Sequence, residues 1–195
     1  MPAESSFSDL IRRVRAGDEE AAADVVRHYE PAIRRVVRIR LVDARLRRVF
    51  DSMDVCQSVL ASFFVRAGLG QYDLQTPEQL LKLLTQMARN KLADQARRQA
   101  ARGADAPAVA EADLRLLAAP GPNPSQQVAL RDLLQEARRR LSGDERRLLE
   151  LREQGREWAE IAAEVGGSPE ALRKRFARAV NLVAQQLGLD EATDE

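Results

Sequence analysis

Histidine and cysteine each occur once in this chain of 195 residues, at His28 and Cys56. A lone cysteine excludes an internal disulfide, and a lone histidine excludes the His-rich zinc constellations. No apolar run approaches the ~20 residues that cross a bilayer, and the N-terminal stretch does not read as a secretory signal. The chain is therefore expected to be cytoplasmic, with no membrane insertion. It also lacks a phosphate-binding P-loop, a G-x-S-x-G nucleophile elbow and a glycine-rich dinucleotide fingerprint. Its carboxylates mostly alternate with arginine along helix faces, as solvated ion pairs do. No catalytic residue, metal site or cofactor is predicted, and the protein reads as non-enzymatic.

Lysine is scarce too, confined to Lys82, Lys91 and Lys174, so arginine carries nearly all the positive charge. Arginine offers a planar fork suited to phosphates and guanine edges, although a skewed genomic base composition produces the same bias. Net charge is only +1, which excludes a uniformly basic chain. The charges are segregated, and their local pattern matters more than their sum.

What is present is helical periodicity along nearly the whole length, which predicts an all-α protein. Ser8 is placed to cap a short helix ending near Gly17. Asp18, followed by Glu19 and Glu20, opens a long helix towards Leu41, with acids at the positive end of the helix dipole. Pro31 should kink or break it. Its apolar side is Val25, Val26, Tyr29, Ile33, Val36 and Val37. Arg34, Arg35, Arg38, Arg40, Arg45, Arg47 and Arg48 make the stretch strongly positive. A third helix, about 52–67, carries Val55, Val59, Leu60, Phe63 and Phe64 on a broad apolar face. After a loop over 68–76, Thr76-Pro77-Glu78-Gln79 supplies a cap, a proline at the first position and a capping-box glutamine for a helix to about Ala101.

From Gly103 to Ser125 the pattern dissolves into Ala, Pro and Gly, which predicts a flexible linker. Helices resume near Gln126, with Leu130, Leu133, Leu134, Ala137 and Leu141 on one stripe. Ser142-x-x-Glu145 forms a second capping box, and Gly155 is a natural helix stop. The expected layout is two helical domains, 1–102 and 126–189, joined by the linker 103–125 and followed by an acidic tail, 190–195.

The stretch 155–187 carries the strongest functional signal. It reads as a short helix, a Gly-Gly-Ser turn and a longer basic helix. Trp158, Ile161, Ala162 and Val165 share one face at helical spacing. Ser168 can cap the second helix, with Pro169 at its first position. Leu172, Phe176, Ala179 and Val183 can pack inward, while Arg173, Lys174, Arg175 and Arg178 cluster in the first half. A helix-turn-helix lays the N-terminal part of its second helix in the major groove, so this pattern points to DNA. A helical hairpin with merely solvated arginines would have the same spacing.

The helix ending the first domain adds a second signal. Leu84, Met87, Ala88 and Leu92 point inward, while Asn90, Asp94, Arg97 and Arg98 recur on another face, flanked by Arg89 and Lys91. Asn, Asp and Arg together can hydrogen-bond base edges as well as phosphates. An ordinary wet helix face has the same composition.

Taken in order, these motifs resemble a known family. Asp54-Val55-x-Gln57 is similar to a "D-V-V-Q-E" segment, and Ala88-Arg89-Asn90 with Asp94 and Arg97-Arg98 to an "A-R-N…D…R-R" helix. Glu160-Ile161-Ala162 and the run Leu172-Arg173-x-Arg175-x-x-Arg178-Ala179 match "E-I-A" and "V-K-S-R-L-x-R-A". The chain, from about Phe7 to Leu187, thus resembles a bacterial RNA polymerase sigma factor of the extracytoplasmic-function (ECF) group. Ser58 departs from the pattern, where the family usually has glutamate. Leu80 and Leu83 replace common aromatics, and Glu170-Ala171 replaces Gly-Thr.

The resemblance implies a sigma factor that binds core RNA polymerase, through the β′ clamp helices and the β flap, and directs it to promoter DNA. Asp51, Asp54 and Gln57 would face the polymerase. Gln71, Tyr72 and Asp73 would capture an unstacked base of the minus-ten element, beside contacts from Arg89, Asn90, Lys91, Asp94, Arg97 and Arg98. Ser168, Glu170, Arg173, Lys174, Arg175 and Arg178 would read the minus-thirty-five element. An anti-sigma factor or other inhibitory regulator would be a further partner. Two other readings remain open: a stand-alone helix-turn-helix regulator, and a helical adaptor that binds only protein.

Overall fold

The computed structural model describes residues 7–40, 52–102 and 124–189. Within them the chain forms eight α-helices and no strand. They are α1 (Phe7–Arg15), α2 (Glu19–Arg40), α3 (Ser52–Gly68), α4 (Pro77–Arg102), α5 (Pro124–Arg140), α6 (Gly143–Glu153), α7 (Trp158–Val165) and α8 (Pro169–Gln186). The all-α expectation holds. The linker expected over 103–125 lies outside the described residues except for its last two, which already belong to α5. The tail 190–195 also lies outside them, as do Arg45, Arg47 and Arg48.

Local chemistry explains most helix ends. Asp18 caps α2, its carboxylate accepting from the Ala21 N–H at 2.9 Å. The expected capping box at α6 is present, with Ser142 N–H donating to Glu145 at 2.8 Å and Glu145 N–H donating to the Ser142 hydroxyl. At α4 the box is shifted. Thr76 Oγ1 accepts from Gln79 N–H, but the Gln79 side chain reaches back to the Gln75 N–H at 2.8 Å instead of to Thr76. Four helices close alike: the glycine N–H bonds the carbonyl three residues back, and the next N–H bonds the one five back. The glycines are Gly17, Gly70, Gly155 and Gly188. All four have positive φ, the conformation this closure needs.

Two expectations at helix ends are corrected. Ser8 lies inside α1, which already starts at Phe7, so it is not the cap. Pro31 does not break α2, which runs unbroken through it to Arg40. Pro31 and Arg27, whose carbonyl loses its partner, both sit on the exposed side, where water can replace the missing hydrogen bond.

The helices enclose two apolar cores. The first is built from α1 to α4 around Ile11, Val25, Ile33, Phe63, Leu80, Leu84 and Met87. The second is built from α5 to α8 around Leu141, Leu151, Ile161, Phe176 and Val180, and also takes in Ala61, Val65 and Leu69 from α3 and its end. α3 thus serves both cores, and every residue from Val55 to Gly68 is buried. A helix apolar on all sides is stable only when covered on all sides. Gly68 marks the tightest contact: a Cβ there would stand 2.5 Å from a terminal methyl of Leu134 in α5. The two halves of the chain pack directly against each other along this seam.

Candidate nucleic-acid interface

The expected base-capture loop leaves α3 at Gly70, whose φ of +69° turns the chain sharply away from the helix axis. Gln71, Tyr72 and Asp73 follow at once. Tyr72 is half-buried, its ring stacked on Phe63 at 6.2 Å with only 7° between planes. Its carbonyl accepts from Arg15 of α1. Gln71 accepts from Arg66 at 3.1 Å and donates to Asn181 of α8 at 3.3 Å. Asp73 is exposed, yet it pairs with Arg152 of α6, and Arg15 stands 3.6 Å away. Burial pushes the Arg15 guanidinium's pKa down, with Asp73 opposing that shift.

On α4, Arg89 and Arg97 are exposed, with Asn90, Asp94 and Arg98 half-buried. Asn90 accepts from Gln86 at 2.7 Å, and Arg98 pairs with Asp94 at 2.6 Å. Lys91 departs from the expected outer face, being only 1% exposed. The reason is register: Lys91 lies seven, four and three residues after Leu84, Met87 and Ala88, all buried, so it continues their stripe.

On α3, Asp54 is exposed. Gln57, expected to face the polymerase beside it, is buried to 7% exposure. It shares a stripe with Ala61 and Val65, one and two turns further on, which belong to the second core. Asp51 lies outside the described residues.

The second expected reading surface is α8. Gly166 and Gly167 both have positive φ and form the tight turn after α7. Ser168 spends its hydroxyl on capping, accepting from Ala171 N–H at 3.2 Å. Leu172, Phe176, Ala179 and Val183 are buried as expected, whereas Val165 of α7 is 41% exposed and does not join their core. Trp158 packs on Phe176 at 5.8 Å, with Arg152 over its ring. The outer side of α8 presents Glu170, Arg173, Lys174, Arg175 and Arg178, all exposed. Glu170 bonds Arg173 at 3.1 Å and pairs with Lys174 at 3.4 Å. These bonds, Arg173's first, hold the Glu170 carboxyl below the usual carboxylate range. Arg175 reaches Asp144 of α6 at 2.8 Å.

The two surfaces meet. Gln71, Tyr72 and Asp73 of the loop, with Leu74 and Leu83, face Trp158, Arg173 and Phe176 across a cleft of about 350 Å³. Arg66, Arg152 and Asn181, which tie the loop to the second half, were not singled out in the sequence. No periodicity could find them, because their partners lie between 79 and 115 residues away in sequence.

Residues 4–188 match the family model described as ECF sigma factor. That is nearly the whole chain. The chain belongs to the ECF sigma factor family. No curated protein and no solved structure gives a significant match. Membership makes the protein an all-helical sigma factor for transcription initiation, a class of regulators that act on core RNA polymerase and promoter DNA. In this sigma factor no described helix is long and apolar enough to cross a membrane. No group of three or more His, Cys, Asp or Glu side chains that could hold a metal ion occurs among the described residues.

Proposed function

We propose that this sigma factor binds core polymerase through α3, captures a melted minus-ten base with the loop 71–76, and reads the minus-thirty-five element with α8. The single observation that carries the reading is the family match over residues 4–188. The exposed members of the expected contact sets support it, while Gln57 and Lys91 are buried. Asp54 is open to a protein partner. Arg89 and Arg97 are exposed on α4, where arginine side chains can contact phosphate. Glu170, Arg173 and Lys174 lie in the first turns of α8, where a helix-turn-helix places its base-reading side chains.

The chemistry is binding. The β′ clamp helices would dock near Asp54, and the second half, 126–189, would rest on the β flap. The linker 103–125 would span the distance between the two promoter elements. Capture of a flipped base offsets the few kcal/mol that unstacking costs, because an aromatic or amide-lined site replaces the lost stacking. Tyr72 and Gln71 are the side chains of the loop suited to that role.

The test is a pull-down with purified core polymerase followed by transcription in vitro from genomic fragments. The reading expects a stable complex and initiation at discrete sites that core polymerase alone does not use. Duplex binding without polymerase binding would instead identify a stand-alone regulator, and protein binding without DNA an adaptor.

A further inference from the structure

The cations of α8 are not equally available. Arg173 and Lys174 share Glu170 of the same helix, at 3.1 Å and 3.4 Å. Arg175 is held from outside the helix, donating to the Asp144 carboxylate of α6 at 2.8 Å, 31 residues away in sequence. Arg178 forms no ion pair among the described residues.

Asp144 has little else to do in the fold. The start of α6 is already capped by Ser142 and Glu145. The Asp144 side chain is 77% exposed, so it fills no core, and its carboxylate makes no other bond among the described residues. An exposed pair of this kind adds little to stability. Its effect on Arg175 is larger: it fixes the direction of a long side chain and sets a negative charge beside a positive one, on the face that approaches DNA. An acid on such a face lowers affinity for phosphate, and what it can return is selectivity.

We propose that Asp144 is a specificity-determining residue that acts through Arg175, keeping that arginine from taking up phosphate on DNA of any sequence. Non-specific binding is set by the number of cations that displace counterions from the phosphates. Arg175 clamped to Asp144 adds no net charge to that number, whereas a released Arg175 swings to the nearest phosphate whatever the bases are. The clamp occupies one of the five guanidinium N–H groups. The rest of the side chain, 49% exposed, is offered in one direction. A contact in that direction forms only where the DNA places an acceptor to meet it. Glu170 tempers Arg173 and Lys174 in the same way from within α8, which leaves Arg178 as the general phosphate contact.

This inference rests on the assignment of α8 as the minus-thirty-five reader, and the test separates the two. The full chain is assembled with core polymerase and offered promoter fragments from the transcription experiment, either intact or with the minus-thirty-five element scrambled. Contacts made by the polymerase itself are common to both fragments and cancel in the ratio of affinities. Competition binding over a salt series is measured for the parent, Asp144→Asn, Asp144→Glu, Arg175→Ala and the double variant Asp144→Asn with Arg175→Ala. Asp144→Asn should bind the scrambled fragment about threefold tighter, the range of an exposed pair. Its salt dependence on that fragment should steepen by roughly one unit, because one more phosphate is neutralised. Binding to the intact fragment should stay at the parent level, so the preference falls about threefold. Asp144→Glu keeps a carboxylate and should restore the parent's ratio. With Arg175→Ala already present, Asp144→Asn should leave ratio and slope unchanged, since the clamp has nothing to hold.

Equal tightening on both fragments that persists in the Arg175→Ala background would reduce Asp144 to a general repulsion of DNA and overturn the proposal. A parent-like ratio and slope in Asp144→Asn would overturn it too, and a lower melting temperature alongside them would make the pair structural only. If the parent does not distinguish intact from scrambled fragments, and Arg173→Ala and Arg178→Ala are silent on both, α8 is not the reader and the underlying assignment falls.

Discussion

α3 and α8 are helices of nearly equal length that solve opposite problems. α3 is buried on every side from Val55 onward, between two cores, so its few polar side chains are shut away from water. α8 buries one stripe, Leu172, Phe176, Ala179, Val180 and Val183, and leaves its charged side in solvent. The difference is written in their side chains. α8 alternates apolar and charged residues at a period near 3.6, whereas α3 mixes Val, Ala, Ser and Phe with almost no charge. A helix like α8 can meet a partner without rearrangement. One like α3 can meet a partner on its covered side only if something else leaves first.

The largest expected effect separates the helices by stability. Phe63→Ala in α3 should cost about 3–5 kcal/mol. Because α3 joins both cores, circular dichroism and a probe in α8 should melt together and earlier. Phe176→Ala should cost a similar amount, but the loss should appear first in the second half. If Phe63→Ala leaves the melting of the second half untouched, α3 does not couple the cores.

The next effect concerns what α8 exposes. Arg173→Ala should weaken binding to a minus-thirty-five duplex by about 1–3 kcal/mol and relax preference at one base pair. Arg178→Ala, a turn further on, should weaken all sequences alike and flatten the salt dependence by roughly one unit. A salt series on matched and mismatched duplexes distinguishes them. Identical behaviour of the two variants would reduce Arg173 to a phosphate contact.

A somewhat smaller effect is expected at the exposed end of α3. Asp54→Arg should weaken core polymerase binding on the order of tenfold, about 1.4 kcal/mol, with helix content unchanged. Equal affinity for parent and variant would remove that end of α3 from the polymerase contact.

The smallest effect lies at the N-terminus of α2. Asp18→Ala should cost about 1 kcal/mol through loss of the cap. In the parent, Arg13 first and the Ala21 N–H second hold the Asp18 carboxyl below the ordinary carboxylate range. A depressed folded value means that this stabilisation is complete above the unfolded carboxylate pKa, near 4, and is lost as pH falls through the folded value. Urea midpoints of parent and variant should therefore differ at pH 7 and converge in acid. A constant difference down to acid pH would show that the carboxylate charge is irrelevant to the cap.

Helix content and most boundaries were legible in the chain because each depends on neighbours within one or two turns. The cap at Asp18, the box at Ser142 and the Ser168-Pro169 start of α8 are of this kind. So is the inward stripe of α8. Lys91 was misread although its register with Leu84, Met87 and Ala88 was available, because a lysine invites an outward assignment regardless of position. Gln57 was misread for a different reason. A helix with apolar residues all round has no obvious wet side, so the polymerase-facing set placed around Asp54 extended one turn too far. Val165 shows the converse, an apolar residue at the right spacing on a helix too short to carry it under cover.

The sequence by itself determined the helices, most of their caps, the family motifs and the charged side of α8, since backbone hydrogen bonding and periodicity act over a few residues. Only the tertiary structure decided that α3 belongs to two cores, that Asn181 meets Arg66 across 115 residues, and that the loop at Tyr72 faces α8. Those pairings depend on how two halves, each with its own core, fit together. Shape and buried area fix that fit, and neither is encoded in the spacing of any one segment.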